Sequence, residues 1–148
     1  MEENFHILLY RAFHAQRNAL RAHMRSLGLG AGQPKLVAYL AEHGPCRQRE
    51  LAAYFALDPA AVSRMVASLE RGGFVTLSAD PANRRCSLVR ATERGLEAAR
   101  AWRARCAQAD GLALRGFTPQ EQACFCAYLD QVRRNYEQGE GEDEGEGL

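Results

Sequence analysis

The apolar residues of this chain follow a helical spacing almost throughout, but between Gly72-Gly73 and Arg90 the period changes to an extended one. Phe74-Val75-Thr76-Leu77 and Ser87-Leu88-Val89 are rich in strand-forming residues, and Asp80-Pro81-Ala82-Asn83 between them has turn chemistry. One two-stranded hairpin inside a helical chain is therefore expected. The fold class is mainly α with a small β hairpin.

The helices around it are marked by their starts and stops. Leu9, Phe13, Leu20, Met24 and Leu27 recur at three- and four-residue steps, giving a long amphipathic helix over 5–28. Gly28, Gly30 and Gly32 end it, and Pro34 opens a second helix running to about His43, where Gly44-Pro45 stops it. A short third helix is expected from Arg47 to Ala56. Asp58, an N-cap, and Pro59, at a first helical position, open a fourth whose apolar stripe is Val62, Met65, Val66 and Leu69. After the hairpin, Thr92 caps a long helix carrying Leu96, Ala99, Trp102, Cys106 and Ala109. Thr118-Pro119-Gln120-Glu121 then starts a last helix with Phe125, Leu129, Val132 and Tyr136 on one side.

A length of 148 residues fits one domain, expected over 1–138. The net charge of +1 conceals an asymmetry: residues 139–148 hold five acids and no base, and without those five negative charges the body stands at +6. A basic body with an acidic, glycine-rich tail suits a nucleic-acid binder with a disordered appendage. No apolar run approaches a membrane span, and Met1-Glu2-Glu3-Asn4 is not a basic leader, so a cytoplasmic protein is expected. Cys46, Cys86, Cys106, Cys124 and Cys126 are odd in number and irregular in spacing, which argues against a disulfide framework.

Two short helices joined by Ala56-Leu57, followed by a hairpin, describe a winged helix-turn-helix core over about 34–91. The fourth helix begins with small and polar outward residues, which lets it enter a major groove. Ser63 and Arg64 are its first candidates for DNA contact; Ala60 and Ala61 are placed to touch bases, and Ser68 to reach the backbone. At the hairpin tip, Arg84 and Arg85 are candidates for a neighbouring minor groove, and Asp80 is expected to brace the turn by pairing with one of them.

Arg49-Glu50-Leu51-Ala52, Val62-Ser63-Arg64, Leu69 to Val75, Asp80 to Arg85 and Thr92-Glu93-Arg94-Gly95 together resemble the MarR-type regulators, over about Leu9 to Tyr136. The resemblance implies a recognition helix at the fourth position, a wing at the Asp80 to Arg85 segment, and dimerisation helices at 5–28 and 92–137. It also implies a ligand pocket near where the terminal helices meet the DNA-binding part, taking a small aromatic or amphipathic effector. The chain departs from the pattern at Ala60 and Ala61, where Ser and Thr are common, at Arg47, where a hydroxyl N-cap is usual, and at Ala91, where Leu usually precedes the capping Thr.

The expected function is a homodimeric, ligand-responsive repressor that binds a pseudo-palindromic operator in double-stranded DNA, with no cofactor, metal or membrane partner. Two subunits are required physically, because one helix with one wing offers too little interface for tight binding. One alternative is a redox-sensing regulator using Cys86 or Cys46, since an exposed low-pKa thiol oxidises selectively. Another is a winged-helix interaction module without DNA. An enzyme is not expected: no phosphate loop, nucleophile elbow or paired carboxylates occur, nor do the histidines and cysteines share a metal-ligand spacing.

Overall fold

The computed structural model describes residues 4–143, with side chains to Gly139. In chain order the elements are α1 (Phe5–Ser26), α2 (Gln33–His43), β1 (Cys46–Arg47), α3 (Gln48–Phe55), α4 (Pro59–Arg71), β2 (Val75–Asp80), β3 (Asn83–Ala91), α5 (Glu93–Ala113) and α6 (Pro119–Asp143). The chain forms two compact units, one ending at Ala109 and the other beginning at Asp110. The boundary falls inside α5.

The core of the first unit is built where α2, α3, α4 and the sheet meet. Leu36, Val37, Leu51, Val62, Val66, Leu69, Val75 and Val89 are its fully buried side chains. Each such side chain contributes about 1.5–3 kcal/mol relative to exposure, so this cluster decides which faces of the short helices point inward. The 3.6-residue period of α4 puts Val62, Val66 and Leu69 on one stripe and sends Arg64 and Arg71 to the opposite side.

The sheet has three strands in the order β1-β3-β2, all antiparallel, where a two-stranded hairpin was expected. The extra strand comes from Cys46 and Arg47, opposite Val89 and Leu88. Arg47 was expected to begin the third helix. Its extended backbone (φ −80°, ψ 154°) lets it pair with β3 while also serving as the N-cap of α3. The Glu50 carboxylate accepts from the Arg47 backbone N–H at 2.6 Å, the half of a capping box that needs no hydroxyl at the N-cap.

Backbone turns set the angles between elements. At the α3–α4 turn Ala56 takes a left-handed conformation (φ 50°), and the Leu57 N–H donates back to the Ala52 carbonyl. At the end of α4, Gly73 (φ 78°) supplies the left-handed residue while the Phe74 N–H donates to the Leu69 carbonyl. The chain thus leaves the helix straight into β2. Thr92 caps α5 as expected, accepting from the Gly95 N–H, and its hydroxyl donates to the Gly73 carbonyl. This ties the start of α5 to the end of α4. Further along, His23 of α1 stacks on Trp102 of α5, and Arg103 donates to the Ala38 carbonyl and Glu42 of α2.

The second unit contains the end of α5 and α6. Thr118 and Glu121 form the reciprocal cap that the sequence indicates: the Thr118 N–H donates to Glu121 and the Glu121 N–H to the Thr118 hydroxyl. Phe125, Leu129 and Tyr136 on α6 are exposed and Val132 is half-buried. The helix continues to Asp143, past the point at Gly139 where a disordered tail was expected to begin. Elongation adds one hydrogen bond per residue, and no proline interrupts this stretch. Residues 144–148 of the expected tail lie outside the described residues.

Among the described glycines the least room for a side chain is at Gly95, where an added Cβ would stand 2.2 Å from the Phe74 carbonyl oxygen. Because that partner is backbone, it cannot swing away. Gly95→Ala is expected to destabilise the fold by about 3 kcal/mol, read as a drop in the thermal or urea midpoint. A variant as stable as wild type would show that α5 does not rest on the end of α4 as described.

Candidate nucleic-acid interface

The outward face of α4 is set by what its inward face buries. Ala60, Ser63 and Arg64 are exposed, while Ala61 and Ser68 are half-buried. Arg64 has no ion-pair partner among the described residues, so its guanidinium is available to an external anion. Ser68 is engaged internally: its hydroxyl accepts from Gln33 Nε2 at 2.9 Å, and Gln33 Oε1 accepts from the Gly30 N–H at 2.8 Å. Expected as a surface contact, Ser68 instead joins α4 to the loop before α2. Gln33 is one of the few buried polar residues. Sequence reasoning missed it, since nothing in its neighbourhood except the following Pro34 distinguishes it.

The wing is irregular at its tip. Pairing of β2 with β3 is regular from Val75–Ala91 to Ala79–Ser87, then shifts so that Asp80 faces Asn83. The shift leaves Arg84, Arg85 and Cys86 as a bulge on β3, a device that bends a strand and redirects its side chains. Arg84 and Arg85 are exposed, and Asn83 Oδ1 accepts from the Arg85 N–H at 3.2 Å.

Asp80 braces the wing, though not through Arg84 or Arg85 as expected. Its Oδ2 accepts from Arg47 Nε at 2.8 Å and Nη2 at 2.6 Å, and its Oδ1 accepts from the Ala82 N–H at 2.9 Å. Arg47 is the partner because β1 holds it beside β3, opposite Leu88, and it reaches the root of the turn from there. Asp80 is only 7% exposed. The Ala82 N–H, and after it the Arg47 fork, hold its carboxyl below the ordinary carboxylate range, while the bond to Asp80 pushes Arg47 upward. A lowered carboxyl value means that the brace is complete at neutral pH and is lost as pH falls through that lowered value. The sequence did carry a signal for Arg47: a cation stood where a capping hydroxyl is usual.

With Asp80 occupied by Arg47, both wing arginines keep their charge for other uses. Neither has an ion pair among the described residues. Arg49, Arg71 and Arg90 are exposed as well, whereas Arg94 lies over the Phe74 ring at 4.4 Å from its centroid.

The two candidate redox thiols differ. Cys86 is half-buried within the wing bulge. Cys46 is buried in β1, and burial, with Glu50 adding to it, pushes its thiol up to about 11. That makes it a small core hydrophobe and a poor sensor. Among the described residues no cluster of His, Cys, Asp and Glu could hold a metal ion.

A helix pair with a left-handed turn, an outward cationic second helix and a braced wing define a winged helix-turn-helix module. Residues 30–87 match the MarR family. The chain is 30% identical over 101 residues to an uncharacterized HTH-type transcriptional regulator, YxaD of Bacillus subtilis, covering 68% of this chain and 71% of that one. A MarR family transcriptional regulator from Listeria monocytogenes, solved in complex with 26mer DNA, superposes with a TM-score of 0.89 at 19% identity, over 99% of this chain and 98% of that one. BpsR of Bordetella bronchiseptica, solved to explain regulation of its DNA binding by 6-hydroxynicotinic acid, gives 0.80 at 24% identity, over 88% and 94% of the two chains. The chain belongs to the MarR family of transcriptional regulators.

The thiol assignment has a direct check. At pH 8 a thiol titrating near 11 is thiolate in only about one molecule in a thousand. Iodoacetamide at that pH, with sites mapped by mass spectrometry, is expected to label Cys46 at least a hundredfold more slowly in the native protein than in urea. Equal rates would place Cys46 at the surface and restore it as a redox candidate.

Proposed function

We propose that this chain works as a homodimeric repressor that binds a pseudo-palindromic DNA operator, with α4 in the major groove and the β2–β3 wing over the adjacent minor groove. The observation that carries this reading is the free charge at two separate places: Arg64 on α4, and Arg84 and Arg85 on a bulge whose neighbouring carboxylate is already held by Arg47. A protein-interaction module has no need of outward cations at both. Ser63, Ala60 and Ala61 line the same helix as Arg64 and set local fit: the serine by hydrogen bonding, the alanines by touching thymine methyls.

Dimer formation is supported by apolar faces that this chain leaves uncovered. On α1, Phe5, Leu8 and Phe13 are exposed; on α6, Phe125, Leu129 and Tyr136 are. Pairing doubles the interface and sets two half-sites about one helical turn apart. A small aromatic or amphipathic effector that favours a subunit arrangement mismatched to the operator would release the DNA. This follows the control of BpsR by 6-hydroxynicotinic acid. The work is that of a regulator and not of an enzyme, and its place is the cytoplasm.

Arg64→Ala is expected to weaken binding to a duplex selected by the wild-type protein by about 1–3 kcal/mol and to relax base preference at one position per half-site. Affinity and preference equal to wild type would remove Arg64 from the recognition role. The double change Arg84→Ala with Arg85→Ala is expected to weaken all duplexes alike and to reduce the slope of log affinity against log salt. A slope unchanged from wild type would mean that the wing does not reach DNA.

A further inference from the structure

We propose that Arg47 is a positioning residue for DNA binding: it touches no nucleic acid and acts by clamping the wing to the first turn of α3 so that Arg84 and Arg85 meet the duplex in one register. The proposal rests on the reading of α4 and the wing as a DNA interface. Three connections converge on this residue. Its backbone pairs with Leu88 of β3, its backbone N–H is tied to Glu50 at the start of α3, and its guanidinium grips Asp80 at the wing's root. Asp80 in turn fixes the turn itself through the Ala82 N–H. The path from α3 to the wing tip is thus a continuous run of hydrogen bonds, each made to a group held at its other end.

The clamp sits immediately before a weak point. Beyond Asp80 the ladder loses its register, and Arg84 to Cys86 stand on a bulge with no residue of β2 opposite them. Strand pairing alone cannot define where those arginines point. Cations that meet phosphates from an ordered scaffold lose less freedom on binding than cations on a loose hairpin, so the clamp acts on affinity through order.

Geometry also separates this role from a simple contribution of charge. Nε and Nη2 of Arg47 both donate to Asp80 Oδ2, an arrangement in which a lysine has only a single ammonium to offer. The Arg47 side chain is about one fifth exposed, against the open guanidiniums of the wing.

A double-mutant cycle tests this, using the full chain and a duplex selected by the wild-type protein. Arg47→Met is expected to weaken binding about tenfold, the size of coupling common between contacting groups, and to flatten the salt dependence. In a background already carrying Arg84→Ala and Arg85→Ala it should cost nothing more. Arg47→Lys should behave like Arg47→Met. Asp80→Asn, which keeps an oxygen for Ala82, should give a smaller loss of the same kind and serves if Arg47→Met fails to fold. Equal losses in both backgrounds, or wild-type affinity with lysine, would overturn the proposal and make Arg47 a direct charge on DNA. Amide exchange without DNA supplies a separate reading: in Arg47→Met the Ala82 amide should exchange faster while those of α4 stay unchanged, and an unchanged Ala82 would overturn the clamp. If the wild-type protein selects no duplex although the Ala82 amide responds, the clamp stands as structure but the DNA reading, and the positioning role with it, falls.

Discussion

Burial of one side of α4 is the constraint on which the rest depends. Val62, Val66 and Leu69 are essentially inaccessible, packed in a cluster with Leu36, Val37, Leu51, Val75 and Val89. Rotating α4 by even one residue would bring a polar side chain into that cluster, where an unpartnered polar group costs about 1–3 kcal/mol. Packing therefore holds Arg64, Ser63 and Ala60 outward. The same cluster includes residues of β2 and β3, so it also sets where the wing leaves the body.

Around this core, three polar contacts between elements distant in sequence each fix a direction. Gln33 holds α4 through Ser68, Thr92 joins the ends of α4 and α5, and Arg47 with Asp80 secures the wing. Among the described residues no buried side-chain polar atom lacks a hydrogen-bond partner. Because the internal carboxylate is satisfied by an internal cation, the outward cations of helix and wing stay available. The basic balance itself comes from where the acids lie: five of them stand in 139–148, so the rest of a chain with a formal charge of +1 carries +6.

The helices and the wing were legible in the sequence because local signals agreed: Asp58-Pro59 before α4, Gly72-Gly73 after it, and a change of period at Phe74. Val62, Val66 and Leu69 gave α4's direction from spacing alone. What was not legible came from pairs distant in sequence. Arg47 and Asp80 lie 33 residues apart, as do Gln33 and Ser68 at 35, and neither spacing belongs to a helix or a hairpin. The third strand escaped notice because two residues are too few to show an alternation. Asp80 was expected to pair with Arg84 or Arg85 and pairs with Arg47, since nearness in sequence favoured the wing arginines over a residue brought in by the sheet. Cys46 entered as a redox candidate for a related reason: its burial depends on β1, which the sequence does not announce.

Selection of bound fragments from random duplex DNA by the purified full chain bears most directly on the account. Enrichment of two inverted half-sites with centres about 10 base pairs apart, one turn of the duplex, is the predicted result. Recovery of unenriched DNA, or of a single asymmetric site occupied by one subunit, would contradict it.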